Sequence, residues 1–124
     1  MRSARFAIII LLGALTGCGP TKEARQWAAD ITGGNPERGK NSIQQYGCIA
    51  CHTIDGISSE AVVGPALTRM ASRSYLAGNM NNSATNMARF IQHPRQVHPD
   101  TAMPEMNVTD SDARDIAAYL YSFK

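Results

Sequence analysis

The sequence predicts an all-α domain, and three observations carry that prediction. Two stretches, Asn35–Tyr46 and Thr109–Phe123, combine a polar N-cap with apolar residues at helical spacing. No stretch alternates apolar and polar residues as a half-buried strand does. Between the two helices stands Cys48-Ile49-Ala50-Cys51-His52, a spacing that belongs on a tight turn.

The chain of 124 residues opens with a segment outside that domain. Arg2 and Arg5 form a positive start, Phe6 to Leu15 is apolar apart from Gly13, and Leu15-Thr16-Gly17-Cys18 follows. Residues 1–17 read as a secretory signal to be cleaved, too short and wrongly flanked for a stable transmembrane helix. The last four residues resemble the lipobox of bacterial lipoproteins, in which Cys18 carries a diacylglycerol thioether and becomes the mature N-terminus. That resemblance implies a periplasmic protein, lipid-anchored to a bacterial envelope membrane. The alternative is an ordinary signal peptide with a coincidental Cys. Lipid on Cys18 also answers the odd cysteine count, since three Cys in a secreted chain leave one over.

Cleavage removes two of the 12 basic residues, leaving ten against ten acidic ones in a mature chain of 107 residues. The formal charge of +2 therefore belongs to the signal. No Lys/Arg run with interleaved aromatics is present, which excludes a nucleic-acid patch. Partner docking, if electrostatic, must use local patches.

Residues 18–34 read as a lipidated N-terminus and tether, with a weak helical pattern over Lys22–Ile31 and a break at Thr32-Gly33-Gly34. Trp27 fits packing into a nearby groove or a partner contact. The domain is expected over 35–124. Asn35 caps a helix with Pro36 at its first position, running to Tyr46 with Gly39, Ile43 and Tyr46 on one face. Glycine is costly inside a helix, so Gly39 implies close approach by another helix. Gly47 ends it. Thr53–Pro65 is a Gly/Ser/Pro loop, Ala66–Arg73 a short helix carrying Leu67 and Met70, and Tyr75–Ser83 a loop. Thr85 caps a third helix with Met87, Phe90 and Ile91 inward, which stops near Gln92 because Pro94 restricts His93. His93–Val108 is expected as extended loop. The last helix has Thr109 as N-cap, Asp112 at N3 and Val108 stapled to Ala113. Its acidic first turn suits the helix dipole, and Ile116, Leu120 and Phe123 form its buried face.

A C-x-x-C-H run reads as covalent c-type haem attachment. Two thiols at this spacing reach the two vinyl groups of one porphyrin edge, and the next imidazole swings under the iron, making His52 the proximal ligand. A redox dithiol would want a βαβ frame, and zinc would want a second pair of ligands. For the other side of the iron, Met103 is the first choice, because it lies in a non-helical loop and Pro104 stiffens it. Met106 competes. Met70, Met80 and Met87 read as packing. His93 and His98 would give bis-histidine ligation and a lower potential.

The order of helix, C-x-x-C-H, Gly-Pro loop, mid-chain helix, Met-Pro loop and terminal helix resembles the class I, single-haem cytochromes c. The likeness covers Asn35–Phe123. From Val63 onward the chain is also similar to the cytochrome c domain of bacterial haem-copper oxidase subunit II. Gly64-Pro65-Ala66-Leu67, Ala71-Ser72-Arg73, Pro94-Arg95-Gln96-Val97, Thr101-Ala102-Met103-Pro104 and Ala113–Leu120 carry that likeness.

The resemblance implies about four short helices around one haem, held covalently through Cys48 and Cys51. It makes Met103 the sixth ligand, the Pro65 carbonyl the acceptor for His52, and Arg73 a propionate donor, with Arg69 weaker. The family often has a Trp near Phe90 that donates to a propionate. Here that bond falls to Asn82, Asn86 or water, or is lost.

With both axial positions filled, outer-sphere electron transfer is expected rather than an enzyme, and no small-molecule substrate. No Ser/His/Asp or Cys/His set survives once Cys48, Cys51 and His52 are committed. The expected role is a membrane-tethered single-electron carrier of a respiratory chain. It would run between a dehydrogenase or quinol-oxidising complex and a terminal oxidase. A fixed subunit of a larger complex, or a haem enzyme or gas binder with an open iron, are the alternatives.

Overall fold

Two helices brought face to face organise the domain, and local chemistry starts both of them. The structure, a computed structural model, describes residues 19–57 and 60–124. The signal at 1–17 and Cys18 lie outside the described residues. The helices are α1 (Lys22–Thr32), α2 (Pro36–Gln45), α3 (Ala84–Gln92), the single turn α4 (Pro94–Val97) and α5 (Asp110–Tyr121).

Asn35 accepts from the Arg38 N–H at 3.0 Å and Pro36 opens α2, as expected. Thr109 likewise caps α5 by accepting from the Asp112 N–H at 3.2 Å. Val108 and Ala113 are both buried beside that cap, where an apolar staple belongs.

The α2–α5 contact is made at Gly39. A Cβ there would collide with the Asp115 carbonyl and come within 3.0 Å of the Tyr119 Cβ, so only glycine lets the two backbones approach this closely. Ile43 of α2 meets Ile116, Ala117 and Leu120 of α5 in one buried cluster. Charge locks the same seam. The buried Asp115 carboxylate accepts from the Asn35 N–H at 2.6 Å and from Arg38 Nε and Nη2 at 2.6 and 2.9 Å. Asp115 is 4% exposed and Arg38 66%, so the pair sits at the rim and the guanidinium keeps its water. Tyr46 donates to Asp112 at 2.8 Å. Hydrogen bonds from Thr109 and then Tyr46 hold the Asp112 carboxyl below its ordinary range.

Residues 22–32, expected within a tether, form the packed helix α1. Ala28 is fully buried, and Trp27 meets Tyr121 of α5 edge-on with ring centroids 6.4 Å apart. Lys124 Nζ lies over the Trp27 ring at 4.4 Å.

Four more expectations change. The helix expected over Ala66–Arg73 is a single 3-10 turn, Met70–Ser72, because Arg69 has φ +48° and its N–H goes to Asp55 Oδ2 at 2.9 Å. The loop expected at 75–83 contains a two-stranded antiparallel hairpin, β1 (Tyr75–Leu76) and β2 (Met80–Asn81), turned by Ala77 and Gly78 at positive φ. Ser83 rather than Thr85 caps α3; its buried residues are Met87, Ala88 and Ile91, and Phe90 is only half-buried. Finally, the extended segment from His93 contains α4, started by Pro94.

Among the described residues, no helix is long and apolar enough to cross a membrane.

Candidate functional site

The cysteine motif sits where α2 ends. Gly47 takes φ +70°, a conformation that L side chains rarely adopt, and turns the chain out of the helix. Cys48–Ala50 then forms one 3-10 turn, closed by the Cys51 N–H on the Cys48 carbonyl at 3.3 Å, and the His52 N–H reaches the same carbonyl at 3.0 Å. One turn thus carries both thiols and the imidazole. Cys48 and Cys51 are half-buried and unpaired. Burial pushes the Cys48 thiol above its ordinary pKa.

The imidazole is oriented from behind. His52 Nδ1 lies 2.8 Å from the Pro65 carbonyl oxygen. A proton on Nδ1 makes that a hydrogen bond and leaves Nε2 with its lone pair, the tautomer a metal ligand needs. Several bonds hold Pro65 in place. The Gly64 N–H donates to the Cys51 carbonyl at 2.7 Å, the Leu67 N–H to Thr53 at 2.8 Å, and Thr53 Oγ1 to Ala61 at 3.0 Å. Gly64 itself belongs to the site, and sequence reasoning missed it. A Cβ there would lie 2.6 Å from His52 Cε1 and 2.8 Å from Nδ1. The Gly-Pro dipeptide signals a turn, and nothing local to it signals a ring packed against it.

Met103 is half-buried, and its N–H donates to Thr101 Oγ1 at 3.2 Å. Met106 is 36% exposed. Met70 and Met87 are buried in the core and Met80 packs against it. Exposed His93 lies 3.9 Å from Glu105 Oε2. His98 Nδ1 is buried with no hydrogen-bond partner among the described residues.

Several polar groups expected to face a haem carboxylate also bond the main chain. Arg73 Nη2 donates to the Ala66 and Thr68 carbonyls at 2.6 and 3.0 Å. Both Asn82 amide bonds go to backbone, Met70 O at 2.8 Å and Arg73 O at 2.7 Å, while Tyr121 donates to its Oδ1. The Asn86 amide donates to Asn81 O at 2.9 Å. Asn82 therefore clamps this loop. Arg69 donates its N–H to Asp55 from an exposed position.

These residues fit a covalent haem better than a bare metal. Two free thiols share one turn with an imidazole whose outer nitrogen is already engaged. Among the described residues, no three His, Cys, Asp or Glu side chains are grouped to hold a metal ion by themselves. The orphaned His98 nitrogen is the kind of buried polar atom that a carboxylate or an ordered water satisfies.

Residues 36–124 match the family model described as cytochrome c. The chain is similar to cytochrome c oxidase subunit 2 of Alkalihalophilus pseudofirmus, 30% identical over 88 residues covering 70% of this chain. It spans a quarter of that subunit's length. It is also similar to cytochrome c-552 of Nitrosomonas europaea, 27% identical over 105 residues, which cover 78% of this chain and 89% of that protein. The mainly helical fold with its small hairpin is that of a class I cytochrome c. A match that starts at the first residue of α2 and runs to Lys124 leaves one conclusion: the chain belongs to the cytochrome c family of electron carriers and binds haem c covalently through Cys48 and Cys51.

Proposed function

We propose that this protein is a single-electron carrier of a respiratory chain, with the iron held between His52 and Met103. Lipid on Cys18 tethers it to the periplasmic face of a bacterial envelope membrane. The observation that carries the ligand assignment is the 2.8 Å contact of His52 Nδ1 with the Pro65 carbonyl, which directs the imidazole's other nitrogen away from the loop. Met103 is preferred to Met106 because it is the less exposed of the two, and because Thr101 and Pro104 restrain its backbone on either side.

The bound haem supplies a one-electron Fe(III)/Fe(II) couple. The chain's contribution is to fix the imidazole, present a thioether and keep water out. His/Met ligation raises the potential, and a restrained loop limits rearrangement between oxidation states. The donor in this reading is a dehydrogenase or quinol-oxidising complex and the acceptor a terminal oxidase. A tether confines the search for both to the membrane plane.

A second reading, a fixed subunit of an oxidase, is favoured by the similarity to cytochrome c oxidase subunit 2. Stoichiometric co-purification with an oxidase after mild detergent extraction would select it.

Visible spectroscopy tests the ligand set. Met103→Ala is expected to abolish the methionine-to-iron charge-transfer band and to open the reduced iron to CO, which the wild type should bind slowly or not at all. An unchanged band in Met103→Ala, together with its loss in Met106→Ala, would move the ligand to Met106.

A further inference from the structure

Residues 22–32, expected within a tether, are part of the folded body, and this restricts how the domain can sit on a membrane. We infer that the face formed by the start of α1, the start of α2 and the end of α5 lies against the lipid bilayer. The inference rests on the lipid anchor proposed for Cys18.

The chain is tied down within two residues of that cysteine. The Pro20 carbonyl accepts from Arg25 Nη2 at 3.1 Å, and Arg25 Nη1 bonds Glu37 of α2 at 2.7 Å. Thr21 caps α1 through the Ala24 N–H at 3.2 Å, and its carbonyl accepts from the Arg25 N–H at 3.1 Å. Helix α1 cannot swing as a spacer. Ala28 is fully buried, Trp27 is seated on Tyr121, and a Cβ on Gly34 would collide with the Arg114 backbone of α5.

From Cys18 to Pro20 the backbone spans at most about 7 Å. An acyl group at Cys18 would therefore enter the bilayer within about 7 Å of Pro20. Gly19 and Pro20 line a cleft with Lys40, Gly56, Tyr119 and Phe123, and these residues are the surface nearest that point. Lys22, Arg25 and Lys40 on this side are opposed by Glu23 and Glu37. The charge is close to balanced, so the short leash sets the orientation and added salt should not release it. The Cys48–His52 turn leaves the far end of α2, about 15 Å along its axis. The haem-bearing turn is then held at a set height instead of tumbling on a long linker.

The test uses the full holo-lipoprotein in supported bilayers of phosphatidylethanolamine and phosphatidylglycerol, read by linear dichroism of the haem absorbance. The expected result is a clear dichroic ratio that persists at high salt. It should fall to the isotropic value when twelve Gly/Ser residues are inserted between Gly19 and Pro20. Mass spectrometry of the N-terminal peptide separates the two ways of failing. An acylated chain with isotropic absorbance, or with dichroism unchanged by the insertion, would overturn the orientation alone. A mature chain without acyl groups on Cys18 would overturn the anchor and the orientation with it.

Discussion

At the scale of single residues, the backbone around His52 matters more than the side chains. The oxygen facing Nδ1 is the main-chain carbonyl of Pro65, which no substitution at position 65 removes. The vulnerable position is Gly64, because its missing Cβ makes room for the imidazole. Gly64→Ala should push the ring off the carbonyl. That would weaken the hydrogen bond that keeps the ligand basic, raise the midpoint potential and lower the yield of haem-loaded protein. A potential and yield equal to wild type would mean that the loop gives way and the contact is not needed. Arg73 and Asn82 likewise act on the main chain. Arg73 Nη2 and both Asn82 amide bonds go to main-chain carbonyls.

At the scale of elements, α2 and α5 behave as one unit. Gly39→Ala forces a methyl group into the Asp115 backbone and should cost at least about 2 kcal/mol of stability through overpacking, measurable as a lower denaturation midpoint in the holo-protein. A midpoint within error of wild type would mean the seam can open without loss.

Asp112 links the two helices by accepting from Tyr46, and it sits at the positive end of α5. Its folded pKa lies below the ordinary value of 3.8. A depressed carboxylate contributes stability that is present above the unfolded pKa and lost as pH falls through the folded one. Asp112→Asn should therefore melt below wild type at pH 7, and the gap should close as the pH is lowered past about 4 toward 2. A gap that does not change with pH would remove the charge from this account.

The starts of α2 and α5 were legible because caps, Pro36 and the acidic first turn act within four residues of one another. Other elements carried weaker local signals. Helix α1 buries mainly Ala28 and Thr32, which contribute little to a hydrophobic period. The strands β1 and β2 are two residues each, too short to alternate. The break at Arg69 depends on Asp55, fourteen residues back.

At the scale of the whole molecule, the haem is expected to contribute to the core. Aromatic residues make up 6% of the chain, and a domain this small buries a limited fraction of its apolar surface. Tyr119 and Tyr121 bury their rings against α5's neighbours, and burial raises both phenols to about 12. On the cysteine turn Ile49 is exposed and both thiols are half-buried, with Cys48 packed against the core between α2 and α5. A Cys48→Ala/Cys51→Ala chain, unable to bind haem covalently, should lose its near-ultraviolet circular dichroism. A native-like spectrum would mean that the helices pack without the cofactor.

By itself, the sequence determined the covalent chemistry and the helix starts. Thiol spacing, an adjacent imidazole, caps and prolines all act over a few residues of chain. Only the tertiary structure decided what those groups face. Gly39 lies against Asp115, Gly64 beneath His52, Asn82 across two loop carbonyls, and α1 along α5. Each of these depends on segments distant in the chain meeting at van der Waals or hydrogen-bond distance, and no local pattern of residues encodes which partner arrives.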